Sequence, residues 1–69
     1  MTRYEIIQID EGTSTTWARL KDAHEVVNVI PYFMKTNHPD TFFLVDNSRD
    51  KMFPLPYVSA KLKEWGTEL

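Results

Sequence analysis

Residues 22–36 constrain the fold more than any other segment, because their apolar side chains recur at the spacing of a single helix face. The spacing is i, i+3, i+4, i+7 and i+11, which forms one stripe on a helix with 3.6 residues per turn. The residues concerned are Ala23, Val26, Val27, Ile30 and Met34. A helix with one apolar stripe buries it against another element, and the other segments have the patterns of short strands. The sequence therefore predicts a helix packed across a small sheet.

Both ends of this helix are marked in the sequence. Asp22 followed by Glu25 is a capping box, in which each side chain accepts a hydrogen bond from a backbone N–H that the helix leaves free. Pro31 removes one helical hydrogen bond and clashes with the carbonyl four residues earlier, at a cost of about 3 kcal/mol. We therefore expect one bent helix with a kink near Val27, ended by the turn residues 37–40, NHPD.

The segment before the helix has the pattern of a hairpin. Residues 4–9, YEIIQI, are typical of a β-strand, and residues 10–12, DEG, have the composition of a turn. Gly12 supplies the positive φ that a three-residue hairpin loop needs at its last position. A second strand over residues 13–20 follows from this pattern.

Residues 13–20, TSTTWARL, have two interpretations. As a strand, they place Trp17 and Arg19 on one face of the sheet. As a helix capped by Ser14, they would merge with the central helix along one continuous apolar face. We favour the strand, because the capping box at residue 22 is the better helix start.

The second half of the chain repeats the order of strand, strand and helix. Residues 41–46, TFFLVD, are apolar on both faces, which is typical of a central strand. Residues 52–55 contain Pro54, which has no backbone N–H to donate, so this strand should be short and at an edge. Residues 57–65 return to helical spacing. The order β-β-α-β-β-α predicts a single α+β domain over the whole chain, with a small, mainly antiparallel sheet, one kinked helix across one face and a short C-terminal helix.

Composition limits the class of protein. The 69 residues are 42% hydrophobic, include no cysteine and carry a formal net charge of -2. A chain this small buries only about 60% of its unfolded surface, so without disulfides or cysteine zinc sites we expect it to gain stability from a partner, for example a second copy. The charge lacks the basic excess of a general nucleic-acid binder. The sequence shows neither a secretory signal nor an apolar run of the roughly 20 residues that span a membrane, so we expect a cytoplasmic protein.

Two short patterns resemble metal-binding motifs but are incomplete. His24 begins an H-E-x-x-H pattern in which Asn28 replaces the second histidine, and an amide is a poor zinc ligand. Asp46, Ser48 and Asp50 have the spacing of an EF-hand loop, but the glycine and the closing glutamate of such a loop are absent. A turn stabilised by an aspartate side chain explains these three residues.

A third pattern concerns catalysis. Ser48 and Lys51 match the S-x-x-K motif of serine acylases without the further motifs that this chemistry needs. With only two glycines, the chain has no glycine-rich phosphate loop, and its carboxylates are scattered singly. The sequence predicts a protein that is not an enzyme and takes no metal ion and no cofactor.

Aromatic residues provide the leading hypothesis for function. Nine of the 69 residues are Phe, Trp or Tyr, more than so small a core readily encloses, and Trp and Tyr are enriched at binding hot spots. The alternative is that the rings wrap around a compact core. We expect a small module that binds another protein as an inhibitor or adaptor; in size and composition the chain resembles compact accessory proteins of phages and mobile elements. The expected anchors are Trp17, Tyr32, Phe33, Tyr57 and Trp65.

Two further hypotheses concern other partners. One stretch alternates cations with rings that could stack on bases, which is typical of proteins that bind single-stranded nucleic acid. Its cations are Arg49, Lys51, Lys61 and Lys63, and its rings are Phe53 and Trp65. The acidic residues Asp46, Asp50 and Glu64 offset part of this charge. The last hypothesis is a homodimer with a structural role.

Overall fold

The computed structural model describes residues 2–65, with side chains up to residue 62. Its elements are β1 (Tyr4–Asp10), β2 (Thr13–Leu20), α1 (Ala23–Met34), a 3-10 turn (Pro39–Thr41), β3 (Phe42–Asp46), β4 (Lys51–Pro54) and α2 (Leu55–Trp65). The predicted order and the α+β class are confirmed, and residues 13–20 form a strand rather than an extension of the helix. No helix in the described part of the chain is long and apolar enough to cross a membrane.

The four strands form one antiparallel sheet in the order β2-β1-β3-β4. As predicted, β3 is a central strand and the short β4, which contains Pro54, lies at an edge. Directly opposed residues of neighbouring strands share a face of the sheet. Ile6 therefore faces the same way as its partner Leu44, and Ile7 faces the other way with its partner Phe43.

Both helices pack on the face of the sheet that carries Ile6 and Leu44. The buried core consists of Tyr4, Ile6, Leu20, Val26, Ile30, Phe42, Leu44, Leu55 and Val58. Each fully buried aliphatic side chain contributes roughly 1.5–3 kcal/mol relative to leaving it exposed. This covered face therefore supplies most of the hydrophobic stabilisation of the fold.

The predicted capping box of α1 is present. Asp22 Oδ1 accepts a hydrogen bond from the Glu25 backbone N–H at 3.0 Å, and the Glu25 carboxylate accepts one from the Lys21 backbone N–H at 2.8 Å. In a standard capping box, the Glu25 carboxylate would accept from the backbone N–H of the N-cap residue Asp22. Here it accepts from Lys21, the residue before the N-cap. The helix continues through Pro31 to its end at residue 34, and the kink near Val27 stays a prediction.

The apolar stripe of α1 is wider than the predicted one. Val26 and Ile30 are buried at its centre. Ala23 and Met34 of the predicted stripe also pack against the core, whereas Val27 is only partly buried and is not among the core residues. Two residues that the sequence pattern leaves beside the stripe, Val29 and Phe33, join it instead. The predicted stripe is therefore largely confirmed, and it is widened towards positions 29 and 33, which share that face at helical spacing.

The turn between β1 and β2 is tighter than predicted. Asp10 pairs with Thr13, so the loop contains two residues, Glu11 and Gly12, rather than three. Their φ angles are 50° and 79°, which is the pattern of a type I′ turn. Such a turn has the twist of the flanking strands and needs positive φ at both residues, which glycine adopts without steric cost.

Candidate binding sites

A β-bulge in β2 changes the direction of Trp17. The register with β1 shifts by one residue between Ile6 and Ile7, and Trp17 is the extra residue. Such an insertion interrupts the alternation of side chains along a strand. The Trp17 ring lies 6.3 Å from that of Phe42, on the covered face, whereas Arg19 lies on the opposite face. The prediction that Trp17 and Arg19 share a face is therefore wrong.

Three of the five predicted anchors meet in one cleft between β2 and the end of α1. Trp17, Tyr32 and Phe33 line it, and the Phe33 ring packs 5.2 Å from the buried ring of Phe42. Trp17 is 56% exposed and Tyr32 is 73% exposed. We name this cleft of about 370 Å³ the aromatic cleft; its lining residues are Gln8, Trp17, Tyr32, Phe33, Thr36, Asn37, His38 and Phe42.

A chain of hydrogen bonds fixes the indole ring at the edge of this cleft. Trp17 Nε1 donates to Gln8 Oε1 at 3.1 Å, and Gln8 Nε2 donates to Thr41 Oγ1 at 3.1 Å. Thr41 Oγ1 in turn donates to the His38 carbonyl oxygen at 2.7 Å. The exposed ring is therefore held in place with its polar atom satisfied, which lowers the entropy lost when a ligand covers it.

The fourth anchor, Tyr57, lies at a different site. Its ring stacks on Phe53 at 6.2 Å, and the ammonium of Lys61 lies 5.8 Å from the ring centre. These residues and Arg49 line a pocket of about 130 Å³ next to the buried Asp46. We name it the basic pocket.

The basic pocket gathers only part of the predicted nucleic-acid set. Arg49 and Lys61 line it together, whereas Lys51 lies exposed on β4 outside its lining. Lys63 and the fifth predicted anchor, Trp65, belong to α2, but their side chains lie outside the described residues. The five predicted anchors thus do not form one patch.

Asp46 is a buried carboxylate at the wall of the basic pocket. Its Oδ1 accepts hydrogen bonds from the Ser48 backbone N–H at 3.1 Å and from Ser48 Oγ at 2.8 Å. Arg3 and Arg49 place their Nε atoms 3.9 and 3.8 Å from its oxygens. Burial raises the pKa of Asp46, but the hydrogen bonds from Ser48 and from the Arg49 backbone, with the charge of Arg3, outweigh it and hold the pKa below its ordinary value.

These contacts confirm the turn interpretation of Asp46 and Ser48. Both donors come from Ser48, two residues further along the same turn. Within the described residues, no group of three or more His, Cys, Asp or Glu side chains is placed to hold a metal ion. Asp46 therefore acts as a structural residue that ties the end of β3 to the turn after it.

Sequence reasoning missed two residues that complete the aromatic cleft. Gln8 orients Trp17 across the β1–β2 pair, and Phe42 forms the floor of the aromatic cleft. The sequence pattern of β3 could have indicated that Phe42 faces inward, because inward and outward positions alternate along a strand. Nothing in the residues next to Gln8 indicates that its side chain would contact Trp17. Comparison with protein-family models, with curated proteins and with solved structures found no match to this chain.

Proposed function

We propose that this chain is a small non-enzymatic module that binds another protein through the aromatic cleft and acts as an inhibitor or adaptor. The observation that carries the proposal is the pair of exposed rings, Trp17 and Tyr32, on opposite elements around a cleft with an aromatic floor. Trp and Tyr are enriched at binding hot spots, which cluster in well-packed pockets that the partner desolvates.

The neighbouring edge strand supports a particular kind of ligand. Trp17 belongs to β2, which lies at the edge of the sheet. An edge strand presents backbone donors and acceptors that pair with an extended peptide, while a nearby pocket receives one of its side chains. The ligand that fits is therefore an extended segment with a large apolar side chain for the cleft. The polar residues Thr36, Asn37 and His38 lie at the border of the cleft and suit a polar neighbour of that side chain.

Selection from random peptides displayed on phage tests this proposal, because it requires no prior choice of partner. Peptides enriched on the wild-type protein should bind Tyr32→Ala and Trp17→Ala at least about tenfold more weakly, the loss expected when a hot-spot ring is truncated. Tyr57→Ala is the matched control, since Tyr57 is also exposed, at 49%, but lies at the other site.

The readout separates binding from folding. The chain contains two tryptophans, so a Trp65→Phe background makes the fluorescence of Trp17 a local probe of the cleft. Enriched peptides should shift this emission, and the melting temperature of Tyr32→Ala should equal that of the wild type. The proposal fails if the selected peptides bind both cleft variants as tightly as the parent protein, or if no sequence is enriched.

A second candidate function is favoured by one specific observation at the basic pocket. Arg49 and Lys61 line it together with the stacked rings of Phe53 and Tyr57, a combination that suits the phosphate and base of a single-stranded nucleic acid. A short oligothymidylate should then bind with an affinity that falls steeply with salt. Arg49→Ala should weaken this binding, and Lys51→Ala, outside the pocket, should weaken it less. An affinity that does not change with salt would exclude this candidate.

A further inference from the structure

The second face of the sheet is apolar although both helices pack on the first. Cross-strand pairing places Ile7 beside Phe43, and Phe43 beside Pro54, in one row, while Val45 and Met52 are paired in the next row. We name this surface the open face; its apolar residues are Ile7, Ile9, Phe43, Val45, Met52 and Pro54.

Such a surface differs from the usual solvated face of an antiparallel sheet. A sheet with one face in water normally alternates apolar and polar residues along each strand. In β3, Phe43 and Val45 lie on the face away from the helices, but they are apolar like Phe42 and Leu44 on the covered face. Met52 is 49% exposed and Ile9 is 37% exposed on the same side. A contiguous apolar patch across three strands is typical of an interaction surface.

We propose that a second copy of this chain covers the open face, with two sheets packed face to face in a symmetric homodimer. The first argument is area. The four strands contain 24 residues (7, 8, 5 and 4). At about 3.3 Å per residue and about 4.8 Å between strands, they present a face of roughly 380 Å² in projection. Two such faces suit a small, reversible homodimer, below the roughly 1,200–2,000 Å² in total of a standard protein interface.

The second argument is charge. Among the strand positions that pair across this face, the charged residues are Glu5 and Arg19, and they lie 3.7 Å apart as an ion pair. The face is thus nearly neutral, so two copies meet without like-charge repulsion, whereas a strongly acidic or basic partner finds no complementary field. A net charge of only -2 per chain adds little repulsion at longer range.

The proposed dimer leaves the aromatic cleft accessible, because Tyr32 and Phe33 come from α1 on the opposite side of the sheet. The inference therefore stands independently of the proposed function. It adds one property to it, since a dimer carries two clefts and would bind a partner with two sites more tightly than either cleft alone.

Molar mass in solution tests the proposal. The wild-type protein should show about twice the 8.1 kDa of one chain in light scattering and sedimentation equilibrium. Met52→Lys and Ile9→Lys place a cation on the open face at sites already exposed in one chain, so the fold is retained. Because the dimer is symmetric, each substitution places two cations in the interface. The dissociation constant of the dimer should therefore rise about 100-fold or more.

The matched control is Tyr57→Lys, which adds the same charge at an equally exposed aromatic residue on the side of the helices. This variant should remain dimeric, and circular dichroism should be the same for all variants. A wild-type protein that stays monomeric up to its solubility limit would overturn the proposal. A dimer that survives both open-face changes, or that is lost in Tyr57→Lys, would overturn it as well, because the interface would then lie elsewhere.

Discussion

The two faces of the sheet are built from alternate residues of the same strands, yet both described helices cover the same face. In β3, Phe42 and Leu44 are buried on the covered face, while Phe43 and Val45 on the open face are only half-buried. All four side chains are apolar, so residue type does not distinguish the faces. The comparison teaches that an apolar strand pattern predicts a surface that needs cover, but does not identify the molecule that provides it.

The largest expected effect comes from neighbouring isoleucines of β1. Ile6 is fully buried under the helices, whereas Ile7 lies half-buried on the open face. Ile6→Ala should lower the free energy of unfolding by about 2–5 kcal/mol, because it removes buried methyl groups and leaves a cavity. Ile7→Ala should cost about 1–2 kcal/mol in the monomer, since part of its side chain stays in water and no fully enclosed cavity is left. Urea unfolding followed by circular dichroism measures both.

Measuring Ile6→Ala and Ile7→Ala at several protein concentrations tests the comparison further. If the dimer forms, it buries Ile7, so the cost of Ile7→Ala should grow as the concentration rises, while the cost of Ile6→Ala should not. Equal losses for the two variants at every concentration would contradict the distinction between a covered face and an open face.

The next effect concerns Asp46, the carboxylate at the end of the covered face. Its folded pKa is lowered, so the unfolded state binds a proton more readily, and the stabilisation by the carboxylate is present above about pH 4. It should be lost as pH falls through the folded pKa. Asp46→Asn should lower the free energy of unfolding by about 1–3 kcal/mol at neutral pH, since it weakens the hydrogen bonds from Ser48.

Thermal unfolding at a series of pH values checks this prediction. The difference between wild type and Asp46→Asn should be largest at neutral pH and should narrow on acidification below about pH 4, because the other carboxylates titrate alike in both proteins. A difference that stays constant down to the acid limit would show that the charge of Asp46 contributes nothing to stability.

Sequence patterns predicted the elements because the signals for them are local. The capping box of Asp22 and Glu25, the turn glycine Gly12 and the alternation in β3 each act within a few residues. The direction of Trp17 was not predictable in this way, because the bulge that sets it depends on how β2 pairs with β1. Such pairing is decided by packing across the whole sheet. Asp46 did have a local signal, since it continues the inward positions of β3.

A smaller effect on stability is expected at Gln8, which lines the aromatic cleft. Gln8→Ala removes the acceptor of the Trp17 indole N–H and should cost about 1 kcal/mol of stability, the usual net value of one hydrogen bond. Its effect on the aromatic cleft should be clearer than its effect on folding. In the Trp65→Phe background, the fluorescence anisotropy of Trp17 should fall because the ring rotates more freely. Unchanged anisotropy would mean that packing on Phe42 alone holds the ring.

The smallest effects on folding fall at two exposed residues on opposite sides, and they distinguish the two surfaces most cleanly. Tyr32→Ala should change the free energy of unfolding of the monomer by about 0.5 kcal/mol or less, since Tyr32 is 73% exposed. Met52→Ala should cost about 1 kcal/mol or less, since Met52 is 49% exposed. Tyr32→Ala should weaken binding of peptides selected on the aromatic cleft and leave the molar mass unchanged. Met52→Ala should weaken the dimer and leave peptide affinity unchanged at each cleft. If either variant alters both properties, the cleft and the open face are coupled through the sheet, and they do not act as independent surfaces.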